Sequence, residues 1–194
     1  MAEDIRVIII KFADRFDNLQ TLFALPANKQ KRIAMETLEI YAPIANRLGM
    51  GDLQGRLEDA AFKYAYPEEY QWVDQLFKQR APKKEKVLDK MIELAQKTLA
   101  KENIKILKIF GRRKKYYSLY RKLLKYDKNV SQIYDLIAAR IIADDIPTCY
   151  AAMGIVHAIW KPVKSRIKDY IAQPKPNGYQ SLHTTVFGED GEII

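Results

Sequence analysis

The chain has 194 residues, a formal net charge of +9 and a single cysteine, Cys149. That length suits one substantial core or two small domains, and one cysteine excludes an intrachain disulfide and a four-thiolate metal site. Because the apolar runs are too short to span a bilayer and the chain does not begin as a signal peptide does, we expect a cytoplasmic protein without a membrane partner.

The first hundred residues carry helical periodicity almost throughout. The apolar spacing predicts five helices, over residues 5–23, 33–48 and 53–66, from Pro67 onward, and over 83–101. We expect a kink at Pro43 and a stop at Gly49. The first helix starts without a cap, as expected of a chain cut from a longer one, and its inward face would comprise Ile5, Ile8, Ile9, Phe12, Phe16, Leu19 and Phe23.

Beyond residue 104 the pattern changes to short β-branched runs that alternate with helices. Strands are predicted over residues 104–111, 136–143 and 181–188, and helices over 114–126 and 147–160. The fold class is therefore α+β, with an all-α N-terminal region followed by a mixed α/β part. The boundary falls between Pro67 and Ile104.

Positive charge is concentrated in one segment of the chain. Residues 101–128 contain 11 basic and two acidic residues, so the remainder is neutral in sum. Such a cluster produces a local positive field that attracts phosphates. The candidate partners are therefore nucleotides, nucleic acid and, last, anionic lipid.

The sequence GRRKKYYSLYRK, residues 111–122, lies in this segment. If a helix follows Gly111, then Lys114, Ser118 and Lys122 lie on one stripe at i, i+4 and i+8. With Arg112 beside the helix start and backbone donors there, the stripe suits a polyphosphate. The alternative is a solvated basic helix face.

Asp135 stands at the start of the apolar strand in YDLIAARI, which also contains Arg140. Mg²⁺ takes one or two carboxylates and completes its shell with substrate oxygens and water, so a carboxylate beside a phosphate-binding surface suits it. The alternatives are a helix N-cap and an ion-pair partner for a nearby arginine.

The turn in RIKDYIAQPKPNGYQSLHTT gathers cations, an aromatic ring and an imidazole, namely Arg166, Lys168, Lys175, Tyr179 and His183. A tyrosine on a loop can stack on a base, which contributes about 1–3 kcal/mol in nucleic-acid complexes, while lysines contact phosphates. The alternative is that Tyr179 packs on the sheet and His183 is an ordinary surface histidine.

In KFADRFDNLQT, a polar stripe of Asp14, Asn18 and Thr21 lies opposite the apolar face of the first helix. The stripe offers one metal ligand and two polar contacts. Both histidines, His157 and His183, lie far downstream, so the stripe does not complete a metal site.

Together these motifs resemble the RelA/SpoT homologues, which make and degrade the alarmone (p)ppGpp. KFADRFDNLQTL is similar to the last metal-binding helix of the HD hydrolase domain, and RIAMETLEIYAPIANRLGMG with LEDAAFKYAYPEEY is similar to the helical connector. GRRKKYYSLYRK, IYDLIAARII, CYAAMGIVHAIWKP and RIKDYIAQPKPNGYQSLHTTV are similar to successive synthetase motifs. The resemblance implies a hydrolase remnant at 1–24, a connector at 25–66, and at 67–194 a nucleotidyltransferase-like synthetase domain with a mixed sheet flanked by helices.

The resemblance also implies a reaction, in which a GTP pyrophosphokinase transfers the β,γ-pyrophosphate of ATP to the 3′-hydroxyl of GTP or GDP. ATP would contact Arg112, Lys114, Ser118, Lys122 and Arg140. GTP or GDP would contact Lys168, Lys175, Asn177, Tyr179 and His183. The catalytic residues would be Asp135, as the Mg²⁺ ligand, with Lys168 and His183. Asp14 would be a Mn²⁺ ligand of an incomplete hydrolase site, beside Asn18 and Thr21.

Three features depart from the family pattern. The second catalytic glutamate is expected beyond Ile194, since Glu189 and Glu192 follow the histidine motif too closely. The histidine-rich beginning of the hydrolase domain is absent, and Asp17 stands where the family commonly has histidine. We therefore expect this chain to hydrolyse no alarmone and to make little or none. The tetrad RIKD resembles the form found in bifunctional members. The resemblance also implies that the parent protein would bind the ribosome and tRNA through absent C-terminal domains, and no DNA partner is expected.

A basic RNA-binding module without catalysis is the competing hypothesis. Binding spread over many phosphates weakens steeply with salt, whereas a small guanine pocket loses less affinity. A stand-alone small synthetase is a third hypothesis, although such enzymes lack the hydrolase-like helix that KFADRFDNLQT supplies.

Overall fold

The computed structural model describes residues 4–130, 133, 136–188, 191, 193 and 194, so Asp135, Glu189 and Glu192 lie outside the described residues. The chain divides into two compact units. The first comprises Met1–Gln75 with Lys115–Asp127, and the second comprises Leu76–Lys114 with Lys128–Ile194. The predicted α+β class is confirmed, because the first unit is helical and the second combines helices with short strands.

The helices are α1 (Ile5–Gln20), α2 (Ala27–Glu36), α3 (Ala42–Arg47), α4 (Gly51–Ala65), α5 (Pro67–Lys101), α6 (Tyr116–Lys125) and α7 (Ile146–Ile159). The strands are β1 (Lys108–Arg113), β2 (Ile137–Ile142), β3 (Lys168–Asp169) and β4 (Leu182–His183). Within the described ranges, no helix combines the length and apolar character needed to cross a bilayer.

Helix α1 is amphipathic, but its buried face is narrower than the sequence predicts. Phe12 and Leu19 are buried, whereas Ile5, Ile9 and Phe23 are exposed by 57%, 47% and 71%. Ile9 lies three residues before Phe12, about 60° around the helix from the buried stripe. Phe23 turns outward because α1 ends at Gln20, and the following 3₁₀ turn buries Leu22 instead.

The irregularity predicted at Pro43 takes the form of a π-helical turn, Thr37–Tyr41, between α2 and α3. The amide of Ala42 donates to the carbonyl of Thr37, five residues back. Proline has no N–H and its ring crowds the carbonyl four residues before it, so a wider turn ahead of Pro43 relieves the helix. The stop at Gly49 is confirmed, since this residue has φ of 74°.

One apolar cluster of the first unit joins α1, α2, α3 and α4. An aromatic cluster surrounds Phe62 of α4, which is fully buried. The Tyr120 ring stacks on it at 5.1 Å between centroids, and the rings of Tyr117 and Tyr70 meet it edge-on at 5.3 and 5.7 Å. Aromatic pairs at such distances contribute beyond the area they bury. This aromatic cluster packs α6 against α4.

Helix α5 is one continuous helix, so the prediction of separate fourth and fifth helices was wrong. Pro82 lies inside it. Ala81 and Leu88, seven residues apart, are both buried, so one apolar face continues past the proline. That packing offsets the missing hydrogen bond at Pro82.

In the second unit, β1 and β2 pair antiparallel, with Phe110 opposite Arg140 and Arg112 opposite Ala138. The strand predicted over 104–111 is shifted to Lys108–Arg113, whereas β2 lies within the predicted range. One face of this pair lies on α5, where a Cβ at Gly111 would come 3.1 Å from Cδ2 of Leu88. Glycine therefore allows the close approach, and Arg112 and Arg140 project from the opposite face.

Strands β3 and β4 form a second antiparallel pair, in which Lys168 faces His183 and Asp169 faces Leu182. The strand predicted over 181–188 is therefore short, and single bridges continue it at Val186 and Phe187. Among the described residues, both strand pairs are antiparallel. Helix α7 is capped by Asp145, whose carboxylate accepts the amide of Thr148 at 2.8 Å.

Candidate nucleotide site

The Lys175–Tyr179 turn is a three-residue hairpin loop. The Gly178 amide donates to the Lys175 carbonyl at 2.8 Å, and the Lys175 amide donates to the Tyr179 carbonyl at 3.1 Å. Gly178 has φ of 75°, as the last residue of such a loop requires. The Asn177 side-chain oxygen accepts the Tyr179 amide at 3.2 Å, so the sequence PNG fixes the position from which Tyr179 projects.

Three rings meet beside this loop. The Tyr179 hydroxyl lies 2.8 Å from Nε2 of His183, and the Tyr170 ring contacts His183 edge-on at 5.2 Å between centroids. Nζ of Lys175 lies over both tyrosine rings, 4.7 Å from the Tyr170 centroid and 4.9 Å from that of Tyr179. We call Tyr170, Lys175, Tyr179 and His183 the ring cluster. It combines half-buried tyrosine rings with an exposed cation.

Positive charge converges on His183. Loss of solvent around the ring lowers the pKa of His183, and so do the charges of Lys175, Lys168, Arg140 and Arg112. The cations predicted for the two nucleotides therefore act on the same imidazole. A neutral ring among four cationic side chains suits a site for a polyphosphate.

We expect a proton NMR titration to give His183 a midpoint below 6.5, the ordinary value for histidine. Replacing its strongest cationic neighbour, by Lys175→Met, should raise that midpoint, whereas Lys97→Met on α5 should leave it unchanged. Since the folded pKa is below the unfolded value, the neutral ring contributes stability above about pH 6.5 that is lost as pH falls through the lowered pKa. A midpoint at or above 6.5, assigned with His183→Gln, would contradict the cationic environment.

The basic stripe predicted from Lys114 to Lys122 is only partly helical. Ser118 and Lys122 lie on α6, but Lys114 lies before it. The Lys114 amide donates to the Leu136 carbonyl at 2.8 Å, which extends the β1–β2 ladder by one residue. The chain is therefore still extended at Lys114, and the three side chains do not share one helix face as predicted.

A carboxylate from α4 caps the start of α6. Asp59 of α4 accepts the amide of Tyr117 at 3.0 Å and also that of Tyr116. Burial raises the pKa of Asp59 in spite of these bonds. The prediction that backbone donors at this helix start add to a phosphate site was therefore wrong for these two amides, because a carboxylate from the first unit caps them.

The polar stripe predicted for the first helix is exposed, with Asp14 and Asn18 on α1 and Thr21 directly after its last residue. The Thr21 hydroxyl donates to the Asn18 carbonyl at 3.4 Å. Within the part of the chain that the structure describes, no three His, Cys, Asp or Glu side chains group together as metal ligands. Asp14 thus lacks described companions with which to hold Mn²⁺.

Two family models match the chain. Residues 111–194 match the region found in RelA/SpoT proteins, and residues 1–51 match an HD domain. A GTP pyrophosphokinase of Streptomyces antibioticus is 47% identical over all 194 residues, which cover 23% of that relative. A bifunctional (p)ppGpp synthase/hydrolase RelA of Mycobacterium tuberculosis is 45% identical over the whole chain, which covers 26% of it.

The chain belongs to the RelA/SpoT family. A guanosine-3′,5′-bis(diphosphate) 3′-pyrophosphohydrolase of Aquifex aeolicus is also similar, with 44% identity over the whole chain and 28% of its own length covered. The chain thus spans about a quarter of the length of these RelA/SpoT relatives.

Sequence reasoning missed Tyr170 in this RelA/SpoT chain. Tyr170 follows Lys168 by two residues, and side chains two apart in an extended segment point to the same side. That alternation was the signal that could have placed Tyr170 beside the cations. Tyr150 and His157 of α7, which contact the same hairpin, carried no local signal.

Proposed function

We propose that this chain carries the nucleotide site of a (p)ppGpp synthetase, in which pyrophosphate passes from ATP to the 3′-hydroxyl of GTP or GDP. The supporting observation is the convergence of Lys168, Lys175, Arg112 and Arg140 on His183, beside the exposed part of the Tyr179 ring. A base that stacks on a tyrosine, with its phosphates among cations, requires this combination of groups.

The guanine would stack on Tyr179. Lys175 now lies over the Tyr179 and Tyr170 rings, and its flexible side chain could leave them for the phosphates when a base enters. Lys168 and His183 face one another across β3 and β4 and would flank the acceptor, with Asn177 holding the loop. These groups would position the acceptor nucleotide and neutralise charge on its phosphates. Positioning and charge stabilisation are most of what a protein contributes to phosphoryl transfer.

In the second unit, the ATP phosphates would bind Arg112 in β1 and Lys114 just after it. Ser118 and Lys122 of α6 stay ATP contacts that the family resemblance predicts. Arg140 would lie against the adenine. Cationic side chains stabilise the charge that spreads over the transferred group, and arginine adds a planar surface for stacking. Asp59 already caps the first amides of α6, so the side chains rather than those amides would bind phosphate.

The metals are part of the same proposal. Mg²⁺ at Asp135 would neutralise charge on the transferred pyrophosphate. Mn²⁺ at Asp14 would require partners beyond the described residues, as part of the (p)ppGpp 3′-pyrophosphohydrolase proposed for the whole protein. A link to the ribosome or tRNA would belong to regions of the whole protein outside this chain.

The test is displacement of a fluorescent guanine nucleotide from the chain by GDP and by ADP, in Mg²⁺ buffer at 50 and 200 mM salt. We expect GDP to compete better than ADP and its affinity to fall modestly with salt. An RNA-binding module would show no guanine preference, and its affinity for RNA would fall by about a thousandfold or more over this salt range. Equal competition by GDP and ADP would overturn the guanine site.

A further inference from the structure

Helix α7 contacts β3 through Tyr150. The Tyr150 hydroxyl donates to Oδ2 of Asp169 at 2.7 Å. The other oxygen of Asp169 accepts the amides of Ile171 and Ala172 at 2.9 and 2.8 Å. One carboxylate therefore joins α7 to the strand and shapes the chain that leaves it. Hydrogen bonds from the Ala172 amide and from Tyr150 lower the pKa of Asp169.

The same helix contacts β4 through His157. Nε2 of His157 lies 2.8 Å from the hydroxyl oxygen of Thr184, the residue that follows His183. Tyr150 and His157 are seven residues apart, so they lie on one face of α7 about 10 Å from each other along the axis. One helix face thus holds both strands of the hairpin.

The contacts fall on the side of the hairpin away from the proposed site. Lys168 and His183 are paired across the strands, and successive side chains of a strand point to opposite sides. Asp169 and Thr184, each next to one member of that pair, therefore face α7. Strands of two residues are too short to hold their register alone. The two contacts with α7 therefore help to fix the register of β3 and β4.

We propose that Tyr150 and His157 are positioning residues, which hold the β3–β4 pair against α7 so that Lys168 and His183 present their side chains together to the guanine nucleotide. This inference rests on the proposed function for the identity of the ligand. It assigns to α7 a role in nucleotide affinity that involves no contact with the nucleotide.

The test compares Tyr150→Phe, His157→Ala and His157→Gln with the unaltered chain. Amide hydrogen exchange at Tyr170 and Lys175 reports opening of the hairpin, because both amides donate across it, to Ser181 and Tyr179. Affinity for GDP is measured on the same samples. Tyr64→Phe on α4 is the matched control, since it removes a tyrosine hydroxyl from the other unit.

We expect exchange at the two amides to rise at least fivefold in Tyr150→Phe and His157→Ala, with a GDP affinity about fivefold weaker and a melting temperature close to that of the control. His157→Gln, which keeps a polar atom near the position of Nε2, should restore most of the exchange protection and most of the GDP affinity. Unchanged exchange in the first two variants would overturn the proposal, and so would faster exchange with unchanged GDP affinity. If the unaltered chain bound no GDP, the proposed function would fail, while exchange at Tyr170 and Lys175 would still decide whether α7 holds the hairpin.

Discussion

Tyr179→Ala is expected to abolish most of the preference of this chain for guanine nucleotides over adenine nucleotides. The ring lies beside a loop that Gly178 and Asn177 fix, so it is already in place before a base arrives. Stacking on such a ring contributes about 1–3 kcal/mol. Because 1.4 kcal/mol is a factor of ten, GDP should bind about 5- to 150-fold more weakly.

Two control variants separate stacking from the other roles of this tyrosine. Tyr179→Phe keeps the ring but removes the hydroxyl that lies 2.8 Å from His183, so it should retain most of the affinity. Tyr170→Ala removes the second ring beside Lys175 and leaves Tyr179 in place. Competition between GDP and ADP is measured for all three variants. An equal loss in Tyr179→Phe and Tyr179→Ala would show that the hydroxyl, and not the ring, carries the affinity.

The helices and the hairpin loop could be predicted because their signals are local. Pro67 opens a helix, Gly49 ends one, and the order Pro-Asn-Gly selects a loop type without help from the rest of the chain. The same loop signal was enough to predict that Lys168, Lys175 and His183 lie around one turn. The family resemblance, which the comparisons confirm, rested on ordered motifs of the same kind.

Features that depend on tertiary contacts could not be predicted. The continuity of α5 past Pro82 depends on burial of Ala81 and Leu88, which no local rule contains. The cap at the start of α6 comes from Asp59, 58 residues before the amide it accepts. Local propensity predicts that a helix ends at proline and that a helix start is capped by residues next to it in sequence. Tertiary contacts override both tendencies here.

The predicted basic stripe failed for a related reason. The spacing to Ser118 and Lys122 predicts Lys114 on a helix, but its amide donates to the Leu136 carbonyl just before β2, so the chain is still extended where a helix start was expected. Charge clustering identifies a phosphate-binding region, since the field of several cations does not depend on their secondary structure. Spacing identifies a shared face only when the element begins where the pattern assumes.

Phe62→Ala is expected to be the most destabilising single substitution in the first unit. Its ring is fully buried, and the rings of Tyr66, Tyr70, Tyr117 and Tyr120 surround it. Truncation of a buried phenylalanine costs about 3–5 kcal/mol, because the apolar contact is lost and the surrounding rings cannot fully close the cavity. Hydrogen exchange at the Leu119 amide, which donates to the Lys115 carbonyl within α6, gives the free energy of opening.

Phe62→Leu and Phe77→Ala are the matched controls. Leucine at residue 62 keeps most of the volume but no ring, so it isolates the aromatic contribution, which we expect to be about 1–2 kcal/mol of the total. Phe77 is buried in the second unit, so its truncation should leave exchange at Leu119 nearly unchanged. If Phe62→Ala altered the opening free energy by less than about 1 kcal/mol, then α6, with Ser118 and Lys122, would be held by the Asp59 cap rather than by the aromatic cluster, since caps contribute about that much.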